Sequence, residues 1–246
     1  GYYTINDFNA DDAKHKTWTL KEGVVKINGY NPQPGDVKFK DLRVDGVINA
    51  GDNTVDNPGD RKVIGNDAAR YQFGISLGAS YKGWSLEVLL QGVGKRDYWL
   101  GGPAMFPFGG AGAGDAVFQA LYANQTDYWR AKSYDPSSSD YMVPVNPDSK
   151  LFRIYDQGNN VGSNTRVSDK YLQNAAYMRI KNITLAYTLP KEWVRRAFIQ
   201  DAKFYLSIEN LATFSSLPKG YDPEGTAPSS TANALSNGIS WGYPYY

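Results

Sequence analysis

From Arg70 to Lys82 the chain alternates with a strict period of two. Tyr71, Phe73, Ile75, Leu77, Ala79 and Tyr81 are interleaved with Gln72, Gly74, Ser76, Gly78 and Ser80. Only a β-strand gives that period two distinct faces, here one apolar and one small or polar. An aromatic stands at each end of the apolar face, as in a membrane-crossing strand whose lipid side is bracketed by aromatic girdles. Lys82-Gly83 predicts a tight turn. A second run follows it, with Trp84, Leu86, Val88 and Leu90 against Ser85, Glu87 and Gln91. Leu89 interrupts its polar side, and Glu87 and Gln91 are expected to face an interior.

Two further strands have the same character. Ile183, Leu185, Tyr187 and Leu189 alternate with Asn182, Thr184, Ala186 and Thr188, and Phe204, Leu206 and Ile208 alternate with Lys203, Tyr205, Ser207 and Glu209. Met178 and Ile180 fall on the opposite phase, which implies a bulge or a change of environment near Lys181. Pro190 to Phe198 reads as a brief helical turn. The connections run short, long, short, long, as expected of strands that cross a bilayer and return. Residues 95–170 are rich in Gly, Pro, Ser, Asp and Tyr. A loop of that length is foreign to compact soluble domains but ordinary on the outer side of a membrane barrel. Four strands cannot close a barrel, so pairing with strands from elsewhere is expected.

Composition narrows the function. With 26 basic and 25 acidic residues, the 246-residue chain lacks the basic surplus that nucleic acid demands. It has no cysteine, which excludes disulfides, thiol catalysis and Cys-bound metals. The 19 Tyr and 6 Trp suit membrane and ligand interfaces. No apolar run is long enough for a transmembrane helix. The opening Gly-Tyr-Tyr-Thr-Ile-Asn has no initiator Met or signal peptide, and reads as part of a longer chain.

Several segments resemble the C-terminal region of the SusC/RagA family of TonB-dependent transporters. They are Pro34-Gly35-Asp36 with Asp41 to Asp45-Gly46, Asp60-Arg61-Lys62-Val63-Ile64-Gly65, and Arg70-Tyr71-Gln72-Phe73-Gly74. Tyr81-Lys82-Gly83-Trp84 and Gln91-Gly92-Val93-Gly94 match the hairpin that follows. Tyr177-Met178-Arg179-Ile180-Lys181-Asn182-Ile183-Thr184-Leu185 is the most specific match. Glu209-Asn210-Leu211 with Phe214, and Lys219-Gly220-Tyr221-Asp222-Pro223-Glu224, complete the series in the family's order. Arg43 replaces the family's usual Asn, and the family's last strand is expected to begin only near the end of this sequence. The resemblance implies an all-β fold, the antiparallel last strands of a transmembrane barrel of about twenty-two strands with an N-terminal plug and long extracellular loops. Residues 1–69 and 95–170 would be extracellular loops, 70–94 a hairpin, 171–213 a strand pair, and 214–246 a loop with the start of the last strand. It further implies an outer-membrane location, energy from TonB through an upstream region, a SusD-like surface lipoprotein as lid, and uptake of oligosaccharides or peptides.

Candidate chemistry is sparse. Asp41, Arg43, Asp45, Gly46 and Asp52 fall on positions 1, 3, 5, 6 and 12 of a calcium loop. Calcium is therefore the candidate ion for Asp41, Asp45 and Asp52, although Arg43 sets a cation where an oxygen is wanted. An Asp-rich solvated turn explains the same residues. No cofactor is required. The glycine run Gly109–Gly114 lacks the Lys-Ser/Thr of a phosphate loop. His15, the single histidine, stands in a polar stretch with no nucleophile elbow, so no catalytic residue is assigned and no enzyme is expected. Trp99, Tyr128, Trp129 and Tyr141 are the candidate contacts to substrate or lid, against the alternative that they pack the loop. Two other functions compete: a secreted non-catalytic β-sandwich that binds glycans, and a glycoside hydrolase.

Overall fold

The computed structural model describes residues 1–9, 18–100, 105–106, 123–154 and 161–225. The strand expected to start near the C-terminus, His15 and the glycine run lie outside the described residues. The chain divides into two compact units, one from Gly1–Ile64 and Leu100–Tyr171, the other from Gly65–Trp99 and Leu172–Ser230.

The second unit is an antiparallel sheet of four long strands: β1 (Arg70–Tyr81), β2 (Trp84–Lys95), β5 (Tyr177–Thr188) and β6 (Lys203–Ser215), in the order β1-β2-β5-β6. A short pair, β3 (Asp97–Trp99) with β4 (Leu172–Asn174), extends the central strands, β3 lying in what the sequence reads as loop. Lys82 and Gly83 both have positive φ, as the predicted two-residue hairpin requires. The phase break at Lys181 is a β-bulge: Ile180 and Asn182 have partners on both sides, and Lys181 is skipped in both ladders. Lys191–Arg195 forms the short helix between β5 and β6.

Register turns the separate alternations into one surface. Tyr81, Trp84, Tyr187 and Phe204 stand in a line across all four strands, with the Trp84 and Tyr187 rings 4.6 Å apart. Leu77, Val88, Ile183 and Ile208 form the middle line. Phe73, Gly92, Met178 and Phe214 form the far one; Tyr71, beyond it, has a φ of 56° and drops out of the ladder. A Cβ on Gly92 would come within 2.5 Å of the Phe73 ring, so its bareness lets that ring lie across β2. Eight residues separate Phe73 from Tyr81, about 26 Å along the strand, or roughly 20 Å across a bilayer at the usual tilt. That is the scale of the apolar band on outer-membrane barrels.

Among the described residues this apolar face has no second layer. Leu206 is 63% exposed and Phe204 66%, whereas a sandwich would bury both. The opposite face carries Gly78, Glu87, Thr184 and Ser207 in one line and Gly74, Gln91, Arg179 and Thr213 in another. Among the described residues the outer edges of β1 and β6 are unpaired and the sheet stays open.

The first unit is built of turns and isolated bridges, among them Tyr2 with Val37 and Ile27 with Ile48. Its core includes Phe8, Trp129, Met142, Leu151 and Phe152, each no more than 1% exposed. Gly35, at φ 93°, lies flat on the Trp129 ring, where any Cβ would approach within 2.7 Å.

Candidate functional site

The polar face of the sheet holds its most tightly organised charges. Arg179 is 2% exposed and donates to Asp222 and to Glu224 at 2.6 Å each, and to the Thr213 hydroxyl at 2.8 Å. Lys181, released from the ladder by the bulge, reaches the same Glu224 at 3.0 Å. Beside them Asn182, Thr184 and Ser207 share side-chain hydrogen bonds of 2.8 to 2.9 Å. Asp222 and Glu224 belong to the segment after β6, so that segment folds back over the polar face. The sequence contained the signal: two acids spaced by one residue follow a strand whose polar phase carries Arg179 and Lys181.

The four aromatic candidates have different fates. Trp99 is half-buried in β3, opposite Leu172, and belongs to the sheet unit. Tyr128 keeps a partly open ring with the Arg130 guanidinium 5.7 Å from its centre. Tyr141 stacks on Trp18 at 5.9 Å and 19°, and both are half-buried. Trp129 is a correction: at 0% exposure it is the largest side chain in the loop core and has no face to offer a ligand. Position in a loop gave no hint of this, because the loop has a core of its own. Trp18, which sequence reading passed over, extends the aromatic surface of Tyr141.

The Asp-rich turn is organised around its own main chain. Asp41 accepts from the N–H groups of Arg43, Val44 and Gly46 at 2.7 to 3.1 Å. Asp45 pairs with Arg43 at 3.0 Å, and Asp52 accepts from the Asn57 amide at 2.8 Å. Asp41, Asp45 and Asp52 do not converge into a metal-holding group, and among the described residues no other cluster does so. These oxygens do not fit a calcium ion.

Asp60 is the hub of that turn. Its carboxylate is 1% exposed and accepts from the N–H groups of Leu42, Arg43 and Asn49 at 2.9 to 3.2 Å. Burial alone would raise its pKa, but the three N–H groups and the Arg43 charge outweigh it and hold the value below the usual carboxylate range. A depressed folded value means stability fully present above the unfolded value, near about 4, and lost as pH falls through the folded one. Asp60→Asn is therefore expected to loosen residues 41–60 at neutral pH and to flatten their acid dependence. Amide hydrogen exchange at pH 7 and pH 3.5 measures this; an unchanged pH dependence in the variant would refute the assignment.

No family model matches the chain. Over 226 residues, 92% of its length, it is 24% identical to TonB-dependent receptor P3 of Formosa agariphila, and over 211 residues, 85% of its length, 23% identical to TonB-dependent receptor P26 of the same organism. It spans 19% and 18% of those two curated relatives. Among solved structures it is similar to the RagAB peptide transporter, at 25% identity and a TM-score of 0.39, and to the RagAB peptide importer in its closed-closed state, at 23% and 0.38. Each match covers 62% of this chain and 14% of the other.

Proposed function

We propose, from the premise that this chain is a SusC/RagA-like stretch of a TonB-dependent receptor, that the whole receptor imports oligosaccharides or peptides across the bacterial outer membrane. A SusD-like lipoprotein would serve as its lid and TonB would supply the energy. One observation carries the reading. The four-stranded sheet has an exposed apolar face closed at one end by a line of four aromatics, and a polar face with buried, paired charge. Such a sheet suits a wall between lipid and an aqueous lumen. In a secreted sandwich the same side chains would lie inside. We assign the receptor no covalent step.

Import follows from the wall only if the receptor feeds the cell. Deleting the receptor gene is expected to abolish growth on at least one member of a panel of oligosaccharides and peptides, as deletion of TonB does. Co-purification in detergent is expected to bring down a surface lipoprotein. Undiminished growth across a panel on which the TonB deletion fails would defeat the import reading.

A further inference from the structure

The first unit contains a groove of about 630 Å³ whose function the sheet does not explain. Ile27 and Ile48, joined by a parallel bridge and 8 to 9% exposed, line it together with Phe39 and Ile64. Its rim is cationic, with Lys40, Lys62 and Arg166. Arg166 is steadied over the Tyr30 ring at 5.1 Å, while among the described residues Lys40 and Lys62 make no ion pair or hydrogen bond. Asp60 also lines the groove, but its carboxylate is spent on the turn beneath; Asp169 is the only other acid there.

The main chain along it is the second clue. Phe39, Lys40, Arg61, Lys62 and Ile64, which all line the groove, make no backbone hydrogen bond among the described residues. Free N–H and C=O groups beside an apolar trough are what an added peptide strand uses. A sugar would want aromatic platforms and side-chain amides, and this trough is mostly aliphatic. A lipid tail would leave the free main chain unanswered.

We propose that this groove docks an extended acidic segment of a partner polypeptide. The segment's main chain pairs with Arg61–Ile64, an aliphatic side chain sits on Ile27 and Ile48, and flanking carboxylates meet Lys40 and Lys62. The inference leans on the proposed function only for placing the groove outside the bilayer, and the binding titration that tests it does not depend on import.

The probe is a fluorescein-labelled short peptide of alternating Asp and Glu around one central Leu, titrated by anisotropy against the full receptor in detergent. Saturable binding is expected, weakened by salt, and weakened about tenfold by Lys40→Glu with Lys62→Glu. Replacing the central Leu by Ser is expected to cost a similar factor. Both lysines are exposed, so the double variant should melt with the parent. Equal binding to the double variant, equal binding of a peptide with Lys for every acid, or no binding at all would overturn the proposal. Accumulation of the labelled peptide inside intact cells would make the segment cargo and overturn the partner assignment as well.

Discussion

Ile183→Arg is expected to lower the stability of the membrane-inserted receptor by about 2–4 kcal/mol, the penalty for a cation at the midplane of a barrel's lipid face. Ile183 belongs to the middle line of the apolar face, flanked by Val88 and Ile208 and about as far from the Tyr81 line as from the Phe73 line. There an arginine cannot reach either headgroup layer without deforming the bilayer. The control is its neighbour. Thr184 lies between Glu87 and Ser207 on the polar face, so Thr184→Arg meets a carboxylate and water. Urea unfolding of the full receptor in lipid vesicles separates the two. A large loss for Ile183→Arg with a small one for Thr184→Arg supports lipid contact on the apolar face. Equal losses would mean that both faces are buried in protein, and the wall reading would fail.

The contrast works because side-chain direction in a strand is a matter of parity, and parity is readable from sequence. The alternation from Phe73 to Tyr81 and from Ile183 to Tyr187 placed the apolar face correctly, and the phase change at Met178 and Ile180 marked the neighbourhood in which the bulge lies. Such local periodicity survives because nothing distant overrides it. What sequence did not reveal was the order in which the strands' faces meet. The four-aromatic line needs the register of three separate ladders, each set by turn length and by the bulge. The loops were less legible still. Trp129 and Tyr141 look alike in sequence, both aromatic among Asp, Ser and Pro. Gly35, some ninety positions upstream, supplies the flat surface that buries Trp129, whereas the Tyr141 ring stacks on Trp18 and stays half-buried. Long-range packing of this kind has no period to detect. The Asp41–Asp52 spacing shows a related limit: it suits calcium, while Asp41 is turned to main-chain N–H groups, Asp45 to Arg43 and Asp52 to the Asn57 side-chain amide.

The second large effect concerns Arg179. Removing one partner of a buried ion pair typically costs about 3–5 kcal/mol, because the remaining charge loses both water and counter-ion. Arg179→Met would take the guanidinium away from both Asp222 and Glu224, and Lys181 pairs with Glu224. Those acids are 15% and 25% exposed, so the structure has a cheaper escape than global unfolding. The segment after β6 can lift off the polar face and rehydrate them. The expected result is local: trypsin cleavage after Lys219 should accelerate about a hundredfold, corresponding to roughly 3 kcal/mol of lost closure, while the sheet melts nearly unchanged. Arg179→Lys should fall between, since an ammonium cannot span both carboxylates as a guanidinium does. Combining Arg179→Met with Asp222→Asn and Glu224→Gln should recover most of the protection, because no buried charge then lacks a partner. If Arg179→Met leaves the cleavage rate at Lys219 untouched, the ion pairs do not hold the segment down. If the triple variant is cleaved as fast as the single one, the salt bridges themselves, and not the avoidance of stranded charge, keep it closed.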